Sequence, residues 1–500
     1  MGSADHPGSH KQRKKAMHAR AWHAARKRRQ KHGSPPHAVA HHQRGIWLRF
    51  AGLQKSGRVT WVAFLAVLGP GLLAGLSDDD PAGITTYSVL GADFGYTLLW
   101  IIPASTVLLV QFHLMAVRLG AATGKGFVSL IREKWGRGAG YFAVGGLLFA
   151  NFGTICAEYA GISAACGLVG IPSWISAPAA GVLISLVVVL GSFHRVERVL
   201  LIISATLVLY IVDGLLAGPD WGAVFHHSLI PHLPTSPAGW VAIAAALGTT
   251  LAPWGLAFIQ SYAVDKKISL ETLHWARADV IIGSVLTGVI GLAIAVACAA
   301  TLNKAGVHIR DAGDAAKALQ PLAGRFATIL FGAGLLGAAL LAAAIVPIAT
   351  AYSIAEGVGE PASLDLDSRH FQWFYAAFIG LTIMAVSVVS LPSLPLIQLI
   401  YATQVVNAVV LPLHVIALQV LAGDASISGL SRSGLWTRAA GWASILLILA
   451  CVGALGWSWA FGGGMGNTTC YPHFPASDPV TGSFQGLHPK SNFLAIRMHT

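Results

Sequence analysis

Eleven apolar runs, each near the length of a bilayer crossing, restrict this chain to very few folds. A helix needs about 20 consecutive apolar residues to cross the hydrocarbon core. The runs fall at roughly 59–91, 96–118, 139–168, 174–192, 197–217, 238–263, 278–302, 322–357, 371–391, 393–421 and 435–461. In hydrocarbon every backbone N–H and C=O must be satisfied within the protein, so such spans are helices. Composition agrees: 55% of the 500 residues are hydrophobic, 11% are charged, and mean hydropathy is +0.64. A soluble domain carries about 25% charged residues. The expected fold class is all-α and integral to the membrane, with about 11 transmembrane helices. The five cysteines show no zinc or disulfide spacing.

The net charge of +12 is concentrated at one end. Residues 1–58 hold 14 of the 33 Lys and Arg, eight His and the single acid Asp5. This stretch reads as a basic, His-rich, disordered cytoplasmic tail attracted to anionic lipid, not as a nucleic-acid-binding segment. The N-terminus shows no signal-peptide pattern, because its apolar core begins only near residue 59. Residues 462–500 begin Gly462-Gly463-Gly464, are poor in apolar residues and read as a second disordered tail. With the N-terminus in the cytoplasm and eleven spans, 27 Lys and Arg fall on the cytoplasmic side and 6 on the other. That asymmetry predicts a cytoplasmic N-terminus and an outer C-terminus. Short loops and an Ala/Gly-rich composition point to a bacterial inner membrane.

Two of the runs are interrupted. The first contains Ser77-Asp78-Asp79-Asp80-Pro81-Ala82-Gly83-Ile84, three carboxylates followed by Pro and Gly. A charge at the bilayer centre costs at least about 2.5–3.5 kcal/mol, and Pro and Gly oppose a continuous helix. The sixth run contains Gly248-Thr249-Thr250-Leu251-Ala252-Pro253-Trp254-Gly255. Asp80-Pro81 and Ala252-Pro253 are thus corresponding interruptions five spans apart. Paired breaks of this kind mark inverted-repeat transporters, whose unwound carbonyls and half-helix ends hold ions near mid-membrane. The repeats would be 59–217 and 238–421, with 435–461 added as one extra helix.

Four motifs then resemble the Nramp family of divalent-metal transporters, over about residues 60–460. Gly69-Pro70-Gly71 with Asp80-Pro81-Ala82-Gly83 is similar to that family's first helix. Thr154-Ile155-Cys156-Ala157-Glu158 followed by Gly170-Ile171-Pro172 is similar to its third. Leu251-Ala252-Pro253-Trp254-Gly255 stands at its sixth-helix motif, and Thr403-Gln404-Val405-Val406 with Leu411-Pro412 resembles its tenth helix. The resemblance implies a LeuT-type 5+5 inverted repeat with broken helices 1 and 6. It also implies transport of divalent cations as cargo, with no cofactor and no enzymatic reaction.

The departures shape the expected substrate. Gly83 stands where the family has a metal-binding Asn, Ala252 where it has a metal-binding Met, Trp254 where it has a His, and Ile155 where it has an Asp tied to proton movement. This pattern resembles the branch of Nramp-related magnesium transporters. A thioether favours transition metals, whereas carboxylates, carbonyls and water suit Mg²⁺ and Mn²⁺. By this resemblance Asp80 is the central ligand, joined by the Ser77 and Thr249 carbonyls and the Gln404 amide oxygen. Gly83 and Ala252 leave space for a cation that keeps part of its water. Asp78 and Asp79 either line an aqueous vestibule or are solvated in the broken loop. Glu158 is either a residual proton site or a polar anchor. Trp254 either narrows the path or packs between helices. Import of Mg²⁺, and of Mn²⁺, with weak or absent proton coupling is expected.

Three rivals make distinct demands. A proton-coupled Mn²⁺/Fe²⁺ carrier would use Glu158. An amino-acid carrier of the same architecture would offer N–H groups to a carboxylate, which three acids oppose. An intramembrane aspartyl protease would need a second mid-span Asp, and none is evident. His226, His227 and His232 lie together in the outer loop before the sixth run, where a metal-capture site would draw on them.

Overall fold

Asp80 and Pro81 together start the first described helix of the computed structural model. The structure describes residues 79–189, 209–319, 324–360, 372–424 and 435–461. The expected tails 1–58 and 462–500, together with Gly69-Pro70-Gly71, Ser77 and Asp78, lie outside the described residues. The described chain is helical throughout and contains no strand.

In chain order the α-helices are α1 Pro81–Phe94, α2 Ile101–Thr123, α3 Phe127–Trp135, α4 Arg137–Gly167, α5 Ser173–Val189, α6 Leu209–Leu216, α7 Trp221–Leu229, α8 Pro237–Thr250, α9 Pro253–Asp265, α10 Leu273–Cys298, α11 Ala312–Ala316, α12 Ala327–Val358, α13 Gln372–Val389, α14 Leu396–Gly423 and α15 Leu435–Phe461. Seven segments among the described residues are long and apolar enough to cross a membrane. They correspond to the second, third, sixth, seventh, eighth, tenth and eleventh apolar runs. The fourth and ninth runs form shorter apolar helices, Ser173–Val189 and Phe374–Val389. The first and fifth are described only in their second halves, as α1 and α6.

Some boundaries differ from the sequence reading, for local reasons. The second span begins at Ile101 and not near 96, because the preceding residues close i→i+3 turns, such as Leu99 N–H to the Tyr96 carbonyl at 3.1 Å. The charged connection after it is partly helical. In α3, Phe127, Val128, Leu130 and Ile131 are buried, while Arg132 and Lys134 occupy the last turn, where positive charge suits the helix dipole. A second short helix, α7, is capped by Asp220, whose side chain accepts from Ala223 N–H.

Helix α4 packs against α12, α14 and α1. Small residues let these backbones approach, the usual means of packing helices in a membrane. At Gly248 in α8, a Cβ would overlap the backbone oxygen of Gln404 in α14.

Candidate functional site

The site lies where α1 begins and where α8 stops. In α1, Asp80 is the N-cap: its backbone is extended and its Oδ1 accepts the Gly83 N–H at 2.8 Å. Pro81 follows at the first helical position, where its missing N–H costs nothing. The chain therefore starts a helix immediately after placing a carboxylate. At the matching point, α8 ends at Thr250, Leu251 and Ala252 leave helical geometry, and α9 restarts at Pro253. A helical carbonyl is normally satisfied by the N–H four residues on. For Thr249 that residue is Pro253, which has no N–H, so the carbonyl is open to a ligand. The same spacing relates Ser77, outside the described residues, to Pro81.

The two breaks are tied together. Tyr87 Oη in α1 lies 2.8 Å from Thr250 Oγ1, which also accepts from Ser105 Oγ of α2 at 3.1 Å and donates to the Ala246 carbonyl at 2.7 Å. Asp79, Asp80, Gly83, Thr249, Ala252 and Trp254 are all buried.

Helix α4 carries a polar stripe beside the breaks. Asn151, Thr154 and Glu158 share one face, since residues three and four apart align on a helix. Asn151 Nδ2 donates to Thr350 Oγ1 of α12 at 2.8 Å, and Asn407 Nδ2 of α14 donates to Thr154 Oγ1 at 3.0 Å. One turn further, the Glu158 carboxyl lies within hydrogen-bonding reach of the Asp80 carboxyl. Neither Glu158 oxygen accepts from a donor elsewhere. On the same face, a Cβ at Gly161 would overlap the Pro81 ring. Glycine there lets α4 press its acid against the start of α1. Two carboxyl groups this close, in surroundings this dry, need a shared proton or a cation between them.

Several sequence expectations change with this geometry. Asp79 is not solvated in a loop; it is 1% exposed. Glu158 is no isolated anchor, since it faces Asp80 directly. The Gln404 amide oxygen is already engaged by Asn407 Nδ2 at 2.9 Å, while its Nε2 donates to Thr403 Oγ1 at 2.9 Å. It keeps one lone pair, and its side chain is held within its own helix. Trp254 packs along an aromatic row on α9, with Phe258 at 6.1 Å between ring centroids and Phe258 stacked on Tyr262 at 5.0 Å. The buried polar stripe of Asn151, Thr154 and Thr350 was missed. Its signal was legible in part: polar residues at i, i+3 and i+7 inside an apolar run.

Outside this site, the rings of His226, His227 and His232 gather within 4.7–5.9 Å of one another. Among the described residues, however, no three His, Cys, Asp or Glu side chains converge as metal ligands. Among the described residues the two breaks thus offer a cation the carboxyl of Asp80, with Glu158 beside it, supplemented by carbonyls.

The family model described as natural resistance-associated macrophage protein-like matches residues 71–458. The chain belongs to the Nramp family. Among curated Nramp relatives, the divalent metal cation transporter MntH of Yersinia pestis (strain Pestoides F) is 30% identical over 287 residues, covering 54% of this chain and 68% of that protein. MntH of Deinococcus radiodurans is 30% identical over 288 residues, covering 54% and 64% respectively. Among solved Nramp structures, the manganese transporter of Eremococcus coleocola in complex with an aromatic bis-isothiourea substituted compound superposes with a TM-score of 0.65. It has 22% identity and covers 82% of this chain and 90% of that one. The fold is therefore the LeuT-type arrangement of an integral membrane Nramp protein, with broken helices 1 and 6.

Proposed function

We propose that this Nramp protein imports divalent metal cations, Mg²⁺ and also Mn²⁺, by alternating access, with weak or no proton coupling. Asp80 is the central ligand, the Thr249 and Ser77 carbonyls complete the helix-break ligands, and the remaining lone pair of Gln404 contributes from α14. The observation that carries this reading is the ligand set itself. A buried carboxylate stands at one break, an open carbonyl at the other, and Gly83 and Ala252 bring no side-chain donor. Among the described residues at the two breaks no thioether stands beside Asp80, so selection for transition metals is lost. Hard, oxygen-preferring Mg²⁺ and Mn²⁺ are favoured. The cation is cargo; no cofactor and no reaction are involved.

Weak coupling follows from Ile155 and Trp254, which cannot carry a proton and stand where the family has an Asp and a His. A second reading has its own support. The contact of Glu158 with Asp80 gives a cation something to displace, since a proton held between two carboxyls must leave when Mn²⁺ or Fe²⁺ binds. Proton-coupled Mn²⁺/Fe²⁺ transport of the Nramp type would use that exchange.

The orientation we propose is N-terminus inside and C-terminus outside, in a bacterial inner membrane, with the basic tail drawn to anionic lipid. The tail 1–58, repeats 59–217 and 238–421, extra helix 435–461 and tail 462–500 are the proposed domains. The test is uptake into proteoliposomes loaded with a Mg²⁺ dye and a pH dye, comparing wild type with Asp80→Ala. Mg²⁺ uptake that is lost in the variant and leaves internal pH unchanged is expected. Mn²⁺ uptake with acidification and no Mg²⁺ uptake would replace this reading with the second.

A further inference from the structure

A second buried acid, far along the chain from the cation site, holds three elements together. Glu356, near the end of α12, is 5% exposed. Its Oε1 accepts from Ser261 Oγ of α9 at 2.6 Å. Its Oε2 accepts from the backbone N–H groups of Val128 at 3.0 Å and Ser129 at 3.3 Å, the first turn of α3. The N-cap of α3 is Gly126, which has no side chain to satisfy those donors. An acid from another helix takes over the capping role, at the end of α3 where the dipole favours negative charge. A Cβ at Gly126 would overlap the Glu356 carboxyl, so glycine is what admits it.

Neighbouring bonds reinforce the same junction. Gln260 Nε2 donates to the Lys125 carbonyl at 3.0 Å, and Tyr352 Oη donates to Asp265 Oδ2 at 3.0 Å. All of them tie the far end of α9 to α12 and to the connection between α2 and α4. Helix α9 is the second half of broken helix 6. Ser261 lies nine residues past Ala252, about 13 Å along a helix that rises 1.5 Å per residue. What restrains Ser261 therefore restrains the half-helix that begins at the cation site. Arg132, Lys134 and Arg137 lie on this face, which is the cytoplasmic one in the orientation proposed above.

We propose that Glu356 is the latch of the inner gate: its carboxyl holds α9 against α3, and the cation leaves toward this face only when that grip is released. The proposal deepens the transport reading and rests on its orientation. It makes Glu356 a positioning residue, because it acts through α9 and not on the cation.

The test reads conformation separately from transport. Spin labels are placed at Glu133→Cys in α3 and Lys266→Cys at the end of α9, with Cys166 and Cys470 replaced by Ser. The remaining cysteines, Cys156, Cys298 and Cys451, are buried. Pulsed electron resonance then measures the distance between the labels in reconstituted protein without added cation. The parent should give one short distance. Glu356→Ala and the milder Ser261→Ala should each add a longer population. Glu356→Gln, whose amide can still accept from α3 and donate to Ser261, should restore much of the short one. In Mn²⁺ uptake, Glu356→Ala and Ser261→Ala should raise the KM on the outer side about 3- to 10-fold, without a matching loss of maximal rate. A cation met by fewer outward-competent molecules binds with proportionally weaker apparent affinity. A purely structural role would lower the amount of active protein and leave distances and KM unchanged. That outcome in folded Ser261→Ala and Glu356→Ala overturns the latch; if Glu356→Ala does not fold, Ser261→Ala decides alone. Absence of any cation uptake by wild type would sink the transport reading, while the distance distributions would still judge the latch.

Discussion

Asp80 does two jobs, and two substitutions separate them. Its carboxylate is the proposed cation ligand, and its Oδ1 also caps α1 through Gly83 N–H at 2.8 Å. Asparagine caps a helix about as well as aspartate, whereas alanine loses about 0.5–2 kcal/mol of helix stability. Asp80→Asn therefore keeps the cap and removes the charge; Asp80→Ala removes both. Removing one member of a buried charge pair costs about 3–5 kcal/mol, which is about 150- to 5000-fold in cation affinity. Both variants should lose Mn²⁺ and Mg²⁺ binding in titration calorimetry by that factor. Only Asp80→Ala should also melt earlier in detergent, by the worth of the cap. Asp80→Asn that binds cation within threefold of wild type would refute the assignment, because a neutral amide cannot replace an anionic ligand in a dry site. Equal destabilisation in both variants would refute the capping argument.

Four further outcomes are expected. Gly248→Ala drives a methyl group into the Gln404 backbone oxygen, with the Ala408 nitrogen 2.8 Å away; overpacking of this kind costs about 1–3 kcal/mol, so melting temperature and uptake should both fall. Gly145→Ala, an exposed position in α4 with nothing within 4 Å of the added carbon, should leave both unchanged. Combining Gly83→Asn with Ala252→Met adds an amide oxygen and a soft sulfur to the site. Competition between Cd²⁺ and Mg²⁺ during uptake should shift at least about tenfold toward Cd²⁺, and an unchanged ratio would remove these two positions from the selectivity argument. Tyr87→Phe deletes the hydroxyl that joins α1 to Thr250 and should cost about 1 kcal/mol, read by chemical or thermal denaturation of the purified protein.

Much of the architecture was legible in the sequence because it depends on local chemistry. Apolar length demands helices wherever water is excluded, and the described residues are helical at each of the runs. Proline lacks an N–H wherever it stands, so Pro81 and Pro253 fix where the helices restart and which carbonyls stay open. Asp80 could be singled out because it immediately precedes one of these prolines. The partners of these groups were a different matter. Glu158 is 78 positions from Asp80, and whether it anchored a helix or faced the site depended on the close approach of Gly161 to Pro81. Gln404 kept its expected place, yet Asn407 took one of its lone pairs. Glu356 gave no signal in the sequence, because its partners are 95 and 228 residues away. Spacing and hydrogen-bonding capacity belong to the chain alone. Which buried acid meets which donor is decided by how the helices pack, and only the tertiary structure contains that.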